Sequence, residues 1–202
     1  MSSQSKVIVG IAALLLLLTY LLPIWSIKLG APQYPEGLGM HIRINTIVGL
    51  QPNDLQNING LNHYIGMKEI VPEAIPALAM MPWIVAGLIV LGLAAAVSGQ
   101  RKLLYLWAFV FVGFALAGMI DFYLWEYDYG HDLNPAAAIK VPGMSYQPPL
   151  IGSRQILNFT ASSWPAAGGW IAIVSCAAAV LTSFREFKAG RAKKAELAAA
   201  TS

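Results

Sequence analysis

Three histidines, His41, His63 and His131, are the only imidazoles in the 202-residue chain, and each stands near a side chain that could share a metal ion with it. Met40 adjoins His41, Met67 follows His63 by four residues, and Asp128 and Asp132 flank His131; Met144 offers a further thioether. Imidazole combined with soft thioether favours Cu(I), whereas imidazole with carboxylate suits Cu(II) or Zn. Residues i and i+4 share a helix face, so a helical segment would present His63 and Met67 to one ion. The competing reading is ordinary: a loop histidine commonly does no more than hydrogen-bond, and methionine fills irregular apolar gaps. Asp121, Glu126 and Asp128 form a second group of interest, because a carboxylate at the edge of hydrocarbon is costly unless paired, hydrated or protonated. The bland counterpart places Asp121 in the headgroup zone, leaves Glu126 and Asp128 wet, or pairs Asp121 with Arg43, Lys68, Lys140 or Arg154.

The elements that must position these residues are mostly apolar. Runs over residues 7–25, 78–97, 103–124 and 165–184 each approach the ~20 residues that cross ~30 Å of hydrocarbon. Hydrophobic residues make up 57% of the chain and charged residues 11%, against about a quarter charged in soluble domains. The layout is therefore a tail with a first span (1–25), a long connection (26–77), a two-span hairpin (78–124), a second long connection (125–164), a fourth span (165–184) and a basic tail (185–202).

Charge gives this layout an orientation, because Lys and Arg close to a span are retained in the cytoplasm. Residues 1–6, 98–102 and 185–202 carry eight basic side chains against two acidic ones, net +6; the two long connections, with Asp121, carry five against eight, net −3. Both termini are expected in the cytoplasm of a bacterial inner membrane, with the long connections periplasmic. The basic tail then meets anionic headgroups, and no basic groove interleaved with aromatics calls for nucleic acid. The first run exceeds a signal-peptide core and lacks a small-x-small cleavage site, so it is expected to remain as an anchor. Cys176 is the single cysteine, which rules out an intramolecular disulfide and the cysteine-stapled loops of tetraspanin-like proteins.

The connection at 98–102 is short enough to force an antiparallel hairpin. The long connections are expected to fold together as a small cap on a four-helix, all-α bundle. Within the first, 31–38 holds Pro32, Pro35 and Gly37 and reads as irregular, and 40–48 alternates partly, as a short strand does. Asn53 or Asp54 can cap a helix running toward Ile70. The second, with Pro135, Pro142, Pro148 and Pro149, reads as extended chain and turns. Trp25, Trp83, Trp125 and Trp164 fall near the cap ends of the spans, where an indole prefers to sit.

Several chemistries are set aside. No histidine lies within a span to ligate haem, and no Cys-x-x-Cys-His, Walker, Gly-x-Ser-x-Gly or His-Glu-x-x-His motif occurs. Four spans without a pair of broken helices do not resemble an alternating-access carrier.

Residues 31–38 (APQYPEGL), 57–67 (NINGLNHYIGM) and 125–132 (WEYDYGHD) together resemble small bacterial membrane proteins that accompany nitrous oxide reductase and its copper-maturation factors. The resemblance implies copper delivery, retention or assembly in the periplasm, with His63, Met67 and His131 as candidate contacts. The leading expectation is thus a non-enzymatic accessory protein that handles copper through His41, His63 and His131 with Met40, Met67 or Met144. The alternative is a metal-free scaffold or electron-transfer subunit that docks a periplasmic or membrane partner through Tyr123, Trp125, Tyr127, Tyr129 and Tyr146. A subunit of copper membrane-monooxygenase type ranks third.

Overall fold

The structure, a computed structural model, describes residues 1–200 except 140, 142, 144 and 157. In chain order its elements are α1 (Ser3–Leu15, prolonged by the 3-10 segment Leu16–Tyr20), β1 (Trp25–Ala31), β2 (Tyr34–Ile42), β3 (Ile47–Gly49), α2 (Asp54–Ile65), α3 (Pro76–Ser98), α4 (Arg101–His131), β4 (Gly152–Ile156), β5 (Phe159–Pro165) and α5 (Ala167–Ala200). Four helices are long and apolar enough to cross a membrane: α1 with its extension, α3, α4 and α5.

The chain is not all-α. The two long connections share one antiparallel sheet in the order β3-β2-β1-β5-β4, with β1 from the first connection paired to β5 from the second. Residues 31–38, expected to be irregular, lie mostly in strand: Ala31 pairs with Tyr34 across a two-residue turn, and Pro35 falls where the register shifts, so its missing N–H breaks no regular ladder. The alternation was present, with Trp25 and Ile27 buried and Lys28 exposed, but the prolines and glycines obscured it.

Two helices outrun their expected limits. α4 continues through Glu126 to His131, so its 31 residues reach ~46 Å, well beyond the hydrocarbon thickness. Its apolar run ends at Leu124, and the turns from Trp125 onward belong to the cap. α5 runs on through the basic tail to Ala200. α2 stops at Ile65 because Gly66 adopts φ +82° and its N–H returns to carbonyls of the last turn. At its start the buried Asp54 carboxylate accepts from the N–H groups of Gln51 (3.1 Å) and Gly39 (3.0 Å), which ties α2 to the sheet.

Two apolar cores result. One joins α1, α3, α4 and α5 around Val9, Leu16, Leu88, Leu104, Trp107 and Phe111. The other lies beneath the sheet and joins Trp25, Ile27, Met40 and Ile58 to Met119, Phe122 and Trp125 of α4. Opposite the cap, the Met1 amino group donates to the Gly99 carbonyl (2.8 Å), the Ser2 N–H to Glu186 (2.7 Å), and Arg101 pairs with Glu186 (2.8 Å). The start of the chain, the α3–α4 turn and the post-apolar part of α5 thus meet at one end of the bundle.

Candidate functional site

Between the sheet, α2 and α4 the cap encloses a cavity of about 90 Å³, partly open and walled almost wholly by apolar surface. Among the residues of its wall, Ile27, Leu29, Met40 and Phe159 come from the sheet, Ile58, Leu61 and Asn62 from α2, and Trp125, Glu126 and Tyr129 from α4, with Met67 and Tyr146 from the connections. Glu126 is its one charged-type residue and is fully buried. Among the described residues neither Glu126 carboxyl oxygen has a hydrogen-bond partner, and the Nε1 of Trp125 and the hydroxyl of Tyr146, two other residues of the cavity wall, are buried and equally unpaired. Burial pushes the Glu126 carboxyl up to about 8, so at neutral pH it is mostly protonated and able to donate as well as accept.

Local sequence explains how this arises. Met119, Phe122, Glu126 and Tyr129 are spaced 3, 4 and 3, so Glu126 occupies a position in the stripe of α4 that faces the cap core. Aromatic contacts fix the stripe: Trp25 meets Phe122 edge-on at 5.4 Å, and Trp125 lies 4.6 Å from Tyr129. Gly130 admits the chain that closes the site, for the Tyr146 N–H donates to its carbonyl (3.0 Å) and the Gln147 backbone passes directly over its Cα. Tyr129 donates to the Glu69 carbonyl (3.1 Å), while Lys68 bridges Asp128 (2.7 Å) and Asp132 (2.8 Å).

The acids expected to form a polar group therefore separate. Glu126 is buried in the cap rather than wet, Asp128 is an exposed partner of Lys68, and Asp121 is exposed on α4. The spacing signal for Glu126 was available but was masked by its neighbours Tyr127 and Asp128, both exposed.

The histidines lie on three different elements. His41 pairs with Ser26 and Val48 on the sheet face opposite Met40, and burial, then the charges of Lys28 and Arg43, hold its imidazole below the ordinary value. His63 is exposed on α2 beside Tyr64. His131 donates from Nδ1 to the Tyr127 carbonyl (2.9 Å) and stacks on the Tyr127 ring at 3.9 Å. The i, i+4 geometry invoked for His63 and Met67 is absent, because the helix ends between them; Met67 turns to the cavity while His63 stays at the surface. Met40 and Met67 do share the cavity wall, and Met144 lies outside the described residues. Among the described residues no group of three or more His, Cys, Asp or Glu side chains is placed to hold a metal ion.

Compared with known proteins, the chain matches no protein-family model and no curated protein.

Proposed function

We propose that this chain is a membrane-anchored, non-enzymatic binding protein whose cap retains a small uncharged molecule in the cavity at Glu126. The observation that carries the reading is the fully buried, unpartnered Glu126 carboxyl, the one ionisable acid in a mostly apolar wall. Buried polar atoms are almost always satisfied, so a group of unpaired ones on residues of one cavity calls for an explanation, and hydrogen bonding to a bound molecule supplies one. Trp125, Tyr146 and Glu126 all line this one space and each carries an unpaired polar group able to donate, so we take a small ring bearing carbonyl acceptors, with aromatic walls for its faces, as the ligand class. The charge asymmetry of the sequence supports a periplasmic cap, with the Glu186 end on the cytoplasmic side.

Titration of the detergent-purified protein with tetramethyl-1,4-benzoquinone and with tetramethylbenzene, the same ring without carbonyls, tests the reading. Saturable quinone binding at least tenfold tighter than that of the hydrocarbon, with the difference abolished in Glu126→Leu, is expected. Equal affinities for the two rings, or no saturable binding of either, would overturn it.

Copper retention is the second reading, favoured by the two thioethers, Met40 and Met67, that line the same cavity as Glu126. Soft thioethers suit Cu(I) held away from water. It assigns the sulfur donors to the cavity and gives the three histidines no part.

A further inference from the structure

The two long connections are acidic as a whole, yet one face of their sheet is basic. Trp25, Ile27, Leu38 and Met40 point into the cap core, so the alternating positions face outward: Ser26 and Lys28 of β1, Gly39 and His41 of β2, Ser162 and Trp164 of β5. Glu36, the one acid in the five strands, lies in the far hairpin where the register shifts. The charges of Lys28 and Arg43 both bear on His41. Neither cation has an ion pair among the described residues, whereas Lys68 is held by Asp128 and Asp132.

The same residues stand where the chain leaves and re-enters the long apolar helices. Ser26 lies between His41 and Trp164 in one cross-strand row, and the next row, Ile42, Trp25 and Pro165, adjoins the start of α5 at Ala167. Arg43 donates to the carbonyl of Leu21, the residue after the 3-10 extension of α1. His41 and Trp164 are two strand spacings apart, ~10 Å, with the smaller Ser26 between them. The Ser26 hydroxyl at that floor is buried and has no hydrogen-bond partner among the described residues. Trp164 is half-exposed, and Lys28 is exposed two residues, ~7 Å, further along β1.

The ends of membrane-crossing helices bring one kind of anion within reach, the phosphates of lipid headgroups, and a phosphate oxygen accepts from ammonium, guanidinium and imidazole alike. We infer that this face holds the headgroup of an anionic phospholipid in the leaflet on the cap side, its phosphate among Arg43, His41 and Lys28 and the Trp164 indole at its edge. Charge complementarity selects an anionic headgroup over a zwitterionic one, whose own ammonium would meet Lys28 with like charge. The site is separate from the Glu126 cavity, which opens on Ile27 and Met40 of the opposite sheet face.

Acetylation of Lys28 by N-hydroxysuccinimidyl acetate, followed by mass spectrometry of its peptide, tests this, since a phosphate beside the ammonium shields it. The full-length protein is compared in nanodiscs of phosphatidylcholine, of phosphatidylcholine mixed with phosphatidylglycerol, and of phosphatidylcholine with inorganic phosphate in the buffer. Lys28 is expected to react at least fivefold more slowly with phosphatidylglycerol present, and at an unchanged rate with inorganic phosphate. Arg43→Gln should bring the rate back to within twofold of that in phosphatidylcholine. Where that variant fails to fold, His41→Ala, which leaves the Arg43 contact in place, carries the same comparison. An unchanged rate in phosphatidylglycerol would overturn the site, and so would equal slowing in wild type and variant, which is the effect of membrane surface potential alone. Slowing by inorganic phosphate would assign the face to a free anion and overturn the lipid headgroup.

Discussion

The backbone of Gln147 occupies the space a side chain on Gly130 would need: a Cβ built there would stand 2.5 Å from the Gln147 nitrogen and Cα. That approach presses residues 146–147 onto α4 and brings Tyr146 over the Glu126 cavity. Gly130→Ala is therefore expected to cost more than the helix propensity it gains, a net loss of about 2 kcal/mol from backbone displacement. Gly113→Ala, with nothing near the added methyl, should be neutral or stabilise by up to ~1 kcal/mol. Thermal melts of the two variants in detergent check the contrast; equal effects would show that the close approach is unimportant.

Glu126 gives the cap a pH dependence of definite sign. Its carboxyl is raised by burial from 4.5 to about 8, so the folded chain holds a proton that the unfolded chain releases. The stabilising contribution is full below pH ~4.5 and is lost as pH rises through about 8. Wild type should lose about 3–5 kcal/mol between pH 5 and 9 relative to Glu126→Gln, which keeps the shape but cannot ionise. Denaturation followed by tryptophan fluorescence at several pH values gives both curves, and parallel curves would exclude a proton held by Glu126.

The four long apolar helices were legible because length and composition alone mark them: crossing a bilayer takes ~20 apolar residues whatever they pack against. The sheet was not, since β1 and β5 are joined across more than a hundred residues and pairing of that range leaves no local trace in either segment. Local punctuation misled as well, for Pro32 and Pro35 read as a loop where they form the tip of a hairpin. At the site, the alternative reading had already placed Trp125 and Tyr146 among contact residues, but on a docking surface. The convergence of Glu126 with Met40, Met67 and Tyr146 draws on α4, the sheet and both connections. The sequence named these residues singly, and the 3, 4, 3 spacing through Glu126 was the one local sign that its side chain joins the cap core.

The two ends of the molecule hold ion pairs of unequal value. Glu186 is nearly buried and accepts from both Arg101 and the Ser2 backbone, whereas Lys68, Asp128 and Asp132 are largely exposed. Removing one member of the first set strands a polar partner at the junction of three helices, and Glu186→Ala should cost about 2–4 kcal/mol. Lys68→Ala should cost no more than ~1 kcal/mol, and less in high salt. Melting temperatures at low and high ionic strength separate the cases; a salt-sensitive Glu186 variant would place that carboxylate in water.

Metal content decides between the two ligands proposed for the cavity. Copper held by the cap would draw on Met40 and Met67, since His41 lies on the far face of the sheet and His63 and His131 are at the surface of separate helices. Protein reconstituted with Cu(I) under reducing conditions should then lose at least tenfold in affinity in Met40→Leu/Met67→Leu, a volume-conserving change that the apolar wall accepts. His63→Ala/His131→Ala should retain the metal. Elemental analysis after dialysis against a Cu(I) chelator measures both. Copper lost with the histidines and kept without the methionines would move the site out of the cavity, and copper bound by none of the proteins would leave the cavity to the uncharged ligand alone.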